Sequence, residues 1–232
     1  MVAAASHLPT SAVGPMLSNT TRKLVCSGSV GYLSHHPISA SELCLRVRDR
    51  LSRNLDDGCE WLDKYGMFGA TGVLFKLTDP TYGYSFVVKG VQRADASTLT
   101  DEAWIYSHCL DLQGIRIPVY LGNIELVYHY PLRSAAAVTH MMLLSWAGTT
   151  LCHRPPPAGV DVEAEVDAAV KALHRYGVEH DNIRNANLTW NDETKGIMVI
   201  DFHLSFVYAA PKKARVVEER DMTGGVYNVC IV

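Results

Sequence analysis

A proline-rich turn divides this chain of 232 residues into two parts with different patterns. Residues 154–159 contain three consecutive prolines and end on a glycine. Because proline lacks a backbone N–H and its ring fixes φ, this segment is excluded from helix interiors and central strands. Together with the preceding Gly148 it predicts a domain boundary, which we place after residue 147. The chain is long enough to bury a substantial core on the two sides of it.

The composition is typical of a soluble globular protein, with 48% hydrophobic and 19% charged residues. A formal net charge of −3 provides no electrostatic basis for binding nucleic acid or an anionic membrane. The six cysteines lack C-x-x-C spacing, and we interpret them as reduced thiols. We find neither a secretory leader nor a run of about 18–20 apolar residues, and therefore expect a cytoplasmic or nuclear protein.

The first 56 residues are expected to form a largely irregular N-terminal extension. Residues 1–40 are rich in Ser, Ala, Gly, Thr and Pro and show no stable period, a composition typical of loose chain. Within the extension, residues 41–51 can form a short helix that Ser41 would cap.

Residues 57–147 show the pattern of an antiparallel sheet. Apolar runs at 72–77 and 84–89 flank a cluster of turn residues, and two more runs lie at 117–127 and 138–145. Between these pairs, a segment over 97–112 has helical spacing and an acidic first turn. We therefore predict five antiparallel strands with a single helix against them, and an α+β fold class.

Residues 148–232 begin, after the prolines, with a helix predicted over 161–176. It carries an apolar stripe, and Gly177 ends it. A polar loop at 180–187 follows, and then a hairpin whose second apolar strand ends at Asp201. No strong helix pattern follows the hairpin, so the helical portion of residues 148–232 is predicted to be short.

The polar loop carries residue types that suit phosphoryl transfer. That reaction needs a group to orient or deprotonate the acceptor hydroxyl, oxygen ligands for a metal ion, and a cation near the transferring group. His180 is followed after two, four and seven residues by Asn182, Arg184 and Asn187. Asp201 ends an apolar strand with a carboxylate, a suitable ligand for Mg²⁺. The alternative is an Asn-rich turn in which Asp201 merely terminates a strand.

This order of residues resembles the protein-kinase-like superfamily, and its details are most similar to the compact fungal-type protein kinase-like proteins. The resemblance covers residues 61–206 and is specific in the loop. It implies a bilobal fold, in which residues 57–147 form a five-stranded N-lobe and residues 148–232 a truncated helical C-lobe with a tail. It also implies that the protein binds ATP and Mg²⁺ and acts as a Ser/Thr-type phosphotransferase.

The resemblance assigns a role to each residue that matches the kinase pattern. Asn187 and Asp201 are expected to bind the metal ion, and Arg184 to neutralise the transferring phosphoryl group. Lys89, near the end of an apolar strand, is expected to bind the α- and β-phosphates. Glu102, on the following helix, would pair with Lys89 and orient it.

The resemblance also places the nucleotide between a glycine loop and a hinge. Gly69 and Gly72 fit the second and third glycines of a loop whose backbone N–H groups approach phosphates, whereas Met67 takes the place of the first. A plain hairpin is an equally good interpretation of this segment. Ser145 and Trp146 follow an apolar strand, where a hinge would meet the adenine through backbone groups.

Asn182 lies where a kinase keeps its catalytic aspartate. An amide cannot accept a proton as a carboxylate does, and the loss of a general base typically lowers the rate by about 10²–10⁴. Asp181 is acidic and adjacent, but a shifted loop would be needed to bring it to the acceptor. His203 also replaces the glycine of the usual Asp-Phe-Gly, and no Ala-Pro-Glu follows.

Three functions remain open. The first is a weak ATP-dependent phosphotransferase in which Asn182, helped by Asp181, positions the acceptor. The second is a pseudokinase, a binding or regulatory module for a nucleotide or a protein partner without significant phosphotransfer. The weak base and the short segment after His203 favour it. The third, a small-molecule kinase of the aminoglycoside type, usually needs a larger helical subdomain. The expected partners are a nucleotide and a protein substrate or partner, with no nucleic acid and no membrane.

Overall fold

The structure is a computed structural model that describes residues 38–62, 72–132 and 136–208, together with two strands near the end of the chain. The first part of the chain has the order α1 (Ala40–Arg53), β1 (Cys59–Trp61), β2 (Val73–Asp79), β3 (Tyr84–Val91), α2 (Ala96–His108), β4 (Tyr120–Pro131) and β5 (Ala137–Leu144). The second part has the order β6 (Thr149–Thr150), α3 (Val162–Arg175), β7 (Val178–His180), β8 (Leu188–Asn191), β9 (Gly196–Val199), β10 (Ser205–Val207), β11 (Arg215–Arg220) and β12 (Val226–Ile231).

The first five strands form one antiparallel sheet in the order β1-β2-β3-β5-β4. The predicted α+β class and the five-stranded antiparallel sheet are therefore confirmed. Successive side chains of a strand point to opposite faces, and β5 shows this clearly. Met141 and Leu143 belong to one apolar cluster, and Met142 and Leu144 belong to another. The sheet is thus buried on both faces.

Helix α1 covers one face of the sheet. Its buried residues Leu43, Val47 and Leu51 share an apolar cluster with the sheet. The helix begins earlier than predicted, because the Ser39 hydroxyl rather than that of Ser41 accepts a hydrogen bond from a first-turn backbone N–H. The short helix predicted over 41–51 within the N-terminal extension is thus present as α1, and its buried side chains form part of the core. Residues 1–37 lie outside the described residues.

The other face of the sheet packs against α2 and the second part of the chain. Leu99 and Ile105 of α2 share an apolar cluster with Met142 of β5 and with Leu173 of α3. Helix α2 ends at His108 and is followed by a 3₁₀ turn, so the helix predicted over 97–112 is broken near its end. The elements that meet on this face carry the polar residues to which the resemblance assigns a function.

The second part of the chain is built around α3 and small antiparallel sheets. Asp161 caps α3 through the backbone N–H of Ala164, and Gly177, with φ of 69°, follows its end, as predicted. Strands β6, β8 and β9 form one sheet, and β7 pairs with β10. Within the described residues 148–208, α3 is the sole α-helix, so strands contribute more here than a helical lobe implies.

Helices that could cross a membrane were not found among the described residues. The β11–β12 hairpin is antiparallel, with Arg215 opposite Ile231.

The packing of α1 on the sheet predicts unequal effects of two leucine truncations on the same helix. Leu51 is 1% exposed, whereas Leu45 is 51% exposed. Leu51→Ala is expected to lower the free energy of unfolding by about 2–5 kcal/mol, because it opens a cavity in the core. Leu45→Ala should change it by about 0.5 kcal/mol or less. Urea unfolding measures both, and equal effects would show that α1 does not pack on the sheet.

Candidate functional site

A buried cluster of charged side chains lies where the two parts of the chain meet. Lys89 Nζ donates hydrogen bonds to Glu102 Oε1 and, at 2.6 Å, to Asp201 Oδ1. The exposed fractions of the three side chains are 5%, 1% and 14%, so the ion pairs are largely shielded from water. Three residues that the sequence assigned to one site are therefore in direct contact, although Lys89 and Asp201 are 112 positions apart.

Local structure explains why each member of the cluster points inward. Lys89 lies on β3 directly opposite Met142 of β5, whose side chain is in the cluster between the sheet and the second part. Glu102 is on the buried face of α2. Asp201 follows β9 with φ of 68° and ψ of 69°, in the left-handed region, and starts the 3₁₀ turn Phe202–Leu204. Such a conformation costs a non-glycine residue about 1–3 kcal/mol and persists only where surrounding contacts hold it.

The electrostatics of the cluster favour a charged Lys89 and a charged Asp201. Burial lowers the pKa of Lys89, but Glu102 and Asp201 outweigh burial and leave that pKa raised. Burial raises the pKa of Asp201, but Lys89 and then His203 reverse this effect and hold the pKa below its usual value. For Glu102, burial outweighs the attraction of Lys89, so its pKa is raised. Glu102 Oε2 has no hydrogen-bond partner in the part of the chain that is described.

The polar loop is tied to the end of β9, beside Asp201. The ring of His180 is buried, and its Nε2 is 3.1 Å from the carbonyl oxygen of Ile200, to which it donates. Burial lowers the pKa of His180, which favours the neutral ring. Asn187 Nδ2 donates to the carbonyl oxygen of Asn182 at 2.9 Å, and the Asn187 carbonyl accepts from the backbone N–H of Ile200 at 3.0 Å. These bonds place Asn187 next to the strand end that carries the cluster.

The other loop residues of interest are nearer to solvent. Asp181 and Arg184 are exposed, and neither forms an ion pair or a side-chain hydrogen bond with another described residue. Asn182 is half-buried, and its backbone N–H donates to the carbonyl oxygen of His180 at 2.8 Å. The loop therefore brings Asn187 to the cluster and leaves Asp181 and Arg184 on the surface beside it.

Ser145 and Trp146 lie in the crossing from β5 to β6. The backbone N–H of Ser145 donates to the carbonyl oxygen of Val119 at 2.9 Å, and its hydroxyl accepts from the Val119 N–H at 2.8 Å. The carbonyl oxygen of Trp146 accepts from Asn191 Nδ2 at 3.5 Å. The crossing segment is thus bonded to both parts of the chain, and the Ser145 hydroxyl has a structural partner.

Of the two glycines assigned to a phosphate loop, one is described. Gly69 lies within residues 63–71, outside the described residues. A Cβ at Gly72 would lie 2.7 Å from the carbonyl oxygen of Gly90. The close approach of β3, one residue beyond Lys89, therefore accounts for glycine at this position. A role of Gly72 toward phosphate stays a prediction.

An aromatic column connects the sheet to the polar loop, and most of it was not singled out from the sequence. Tyr120 and Tyr106 stack with ring centroids 6.0 Å apart, Tyr106 meets Phe202 edge-on at 5.1 Å, and Phe202 meets His180 at 5.0 Å. Tyr106 follows Glu102 by one helical turn on the buried face of α2, and that spacing was the available signal. Phe202 is 1% exposed and belongs to the core.

The residues that approach Asp201 fit a metal ion only in part. Among the described residues, no group of three or more His, Cys, Asp or Glu side chains could hold a metal ion. Asn187 and Asp201 offer one amide and one carboxylate, and the Asn187 amide directs its N–H, not its oxygen, to Asn182. Mg²⁺ is commonly held by one or two carboxylates plus phosphate oxygens and waters. This donor set therefore suits an ion that arrives with a phosphate ligand.

Comparison with known proteins relates most of the chain to one part of a longer protein. The chain matches no protein-family model. It is 38% identical over 179 residues to "Meiotic driver SPOK2" of Podospora anserina, an alignment that covers 77% of this chain and 23% of the relative. The chain therefore spans about a quarter of the length of that protein, and the similarity concerns one part of it.

The buried cluster predicts that removing its ammonium group is costly. Lys89→Met leaves Glu102 and Asp201 buried without a cation, which should lower the free energy of unfolding by about 3–5 kcal/mol. The double variant Lys89→Met/Glu102→Leu should recover at least about 1 kcal/mol of this, because one uncompensated carboxyl group is removed. Chemical unfolding monitored by circular dichroism measures both.

Lys171→Met is the matched control, because its ion pair with Asp167 is exposed. This substitution should change the free energy of unfolding by about 1 kcal/mol or less. If Lys89→Met costs no more than Lys171→Met, Lys89 does not hold a buried pair of carboxyl groups.

Proposed function

We propose that this chain is a protein-kinase-like domain that binds ATP with Mg²⁺ where the five-stranded sheet meets residues 148–208. The observation that carries the proposal is the contact of Lys89 with both Glu102 and Asp201. A lysine of a sheet strand, a glutamate of the following helix and an aspartate after a distant strand are the parts that protein kinases use to hold the phosphates and the metal ion. In this proposal the sheet is the N-lobe and residues 148–208 belong to the C-lobe.

The charges of the cluster support a phosphate ligand. Lys89 is buried and charged, and among the described residues its ammonium group donates to carboxylates alone, so this group suits the α- and β-phosphates. Asp201 and Asn187 would hold Mg²⁺ through oxygen atoms, and the bound ion would neutralise phosphate charge. Glu102 would keep Lys89 in place when Asp201 turns to the metal ion, because its own contact with Nζ comes from a different element.

The residues of the polar loop at 180–187 support weak phosphoryl transfer or none. Asn182 contributes a carbonyl oxygen to the Asn187 amide, but its side chain cannot serve as a general base. Asp181 is exposed and is not bonded to a described residue of the loop. Arg184 is exposed, next to the site, and could meet the transferring phosphoryl group. The side chain of Asn182 favours the second candidate, a pseudokinase that binds a nucleotide or a protein partner.

The proposal extends to the surroundings in which the domain would act. The nucleotide is its first partner, and a protein substrate or a regulated protein is the second. We propose a cytoplasmic or nuclear location, where ATP and Mg²⁺ are abundant.

Nucleotide binding is tested by thermal or chemical unfolding with ATP and Mg²⁺. At 100 times Kd, a ligand that binds only the folded state should raise the free energy of unfolding by about 2.7 kcal/mol. Asp201→Asn should remove most of the Mg²⁺-dependent part, whereas the exposed Asp167→Asn should leave it unchanged. Absence of any stabilisation by millimolar ATP with Mg²⁺ in the wild-type protein would refute the proposal.

Phosphoryl transfer is tested separately with radiolabelled ATP and a general protein acceptor. Asn182→Asp restores a carboxylate at the position of the base, so it should raise the transfer rate by about 10²–10⁴. Asp181→Asn should have little effect on a pseudokinase and should abolish activity if the neighbouring carboxylate is the base. A wild-type rate of about 1–100 s⁻¹, typical of kinases, would contradict the expectation of weak transfer.

A further inference from the structure

His203 is a buried side chain in contact with the cluster, and it takes the place of the glycine in the usual kinase Asp-Phe-Gly. It lies in the 3₁₀ turn Phe202–Leu204 that follows Asp201. Its side chain is 7% exposed, and its Nδ1 lies 3.0 Å from Asp201 Oδ1, to which it donates a hydrogen bond. A glycine at this position has no group that could make such a contact.

The contact is selective for one of the two carboxylate oxygens. Asp201 Oδ1 accepts from both Lys89 Nζ and His203 Nδ1, at 2.6 and 3.0 Å. Asp201 Oδ2 accepts no side-chain hydrogen bond from another described residue. The carboxylate is therefore held through one oxygen, and its other oxygen remains available to a ligand.

The two donors differ in what a nucleotide would do to them. In the proposed function, Lys89 is drawn toward the phosphates, so its bond to Asp201 weakens when the ligand arrives. The bond from His203 comes from the turn that begins at Asp201 itself, and this turn packs against α2. The hydrogen bond from His203 to Asp201 therefore does not depend on the phosphates. Asp201 also has a left-handed backbone that needs contacts to hold it.

We infer that His203 is a positioning residue that holds Oδ1 of Asp201 and thereby presents Oδ2 to the metal ion beside Asn187. This inference rests on the proposed function, because it assumes that ATP and Mg²⁺ bind at this site. Residues that hydrogen-bond a metal ligand orient it, and their removal typically weakens metal affinity about 10- to 100-fold. His203 is such a residue, because it hydrogen-bonds the proposed metal ligand Asp201.

The test is a Mg²⁺ titration of the affinity for a fluorescent ATP analogue, mant-ATP, in the full chain. The variants are His203→Leu, which removes the donor, and His203→Asn, whose amide nitrogen is attached to Cγ as Nδ1 is and can replace it. In His203→Gln the amide nitrogen lies one bond further out, so this variant displaces the donor from Oδ1 and serves as a second loss-of-contact variant should the leucine variant not fold. Binding in EDTA is measured for each variant.

The half-saturating Mg²⁺ concentration is expected to rise about 10- to 100-fold in His203→Leu and His203→Gln. It should stay within about threefold of the wild-type value in His203→Asn, and the affinity in EDTA should be equal in all four proteins. A purely structural role would lower the affinity in EDTA as well, and the asparagine variant would not rescue it.

The outcomes separate this inference from the proposed function. If wild-type protein binds mant-ATP with Mg²⁺, and the half-saturating concentration is the same in His203→Leu or His203→Gln, the positioning role is wrong and the proposed function stands. Equal losses with and without Mg²⁺, or failure of His203→Asn to rescue, also overturn the positioning role. If wild-type protein does not bind mant-ATP in either condition, the proposed function fails and the inference fails with it.

Discussion

The ion pair between Lys89 and Asp201 connects the sheet to the second part of the chain, and the arrangement of the site depends on it. Taking charges out of water is costly, and a buried pair is tolerated only when its partners stay together. Because Lys89 is on β3 and Asp201 follows β9, that requirement constrains where the two parts meet. The apolar cluster that joins α2, β5 and α3 supplies the stabilisation, whereas the ion pair selects one arrangement of these elements.

In the proposed function, the same ion pair would couple the stability of the fold to ligand binding. Lys89 is bonded to two carboxyl groups, and one ammonium group cannot balance the charge of both. Burial raises the pKa of Glu102, which favours the uncharged form of that group. In the proposed function, a phosphate would compete for Lys89 and a metal ion for Asp201, so the cluster would respond to both. His203 and the aromatic contact of Phe202 with Tyr106 keep the Asp201 turn in place from the other side.

The sequence supported much of the site but not the contacts that hold it. The resemblance to kinases assigned Lys89, Glu102 and Asp201 to one site. These three meet because strand and helix periodicity fixes which way each side chain points. Helical spacing indicates that Tyr106 shares the buried face of Glu102, but the contacts of Tyr106 with Phe202 and of His203 with Asp201 join separate elements and leave no local pattern. The cap of α1 was misplaced because Ser39 and Ser41 are both suitable N-cap residues, and only the position of the helix on the sheet decides between them.

The hydrogen bonds of the polar loop explain how it keeps its shape without a catalytic carboxylate at residue 182. The loop is held by the backbone of Asn182, by the ring of His180 and by the amide of Asn187. None of these bonds uses the side chain of residue 182. A change between aspartate and asparagine there would therefore alter proton transfer while leaving the positions of Asn187 and Asp201 intact. In the proposed function, metal binding would therefore be separable from catalysis, because Asn187 and residue 182 would carry them with different side chains.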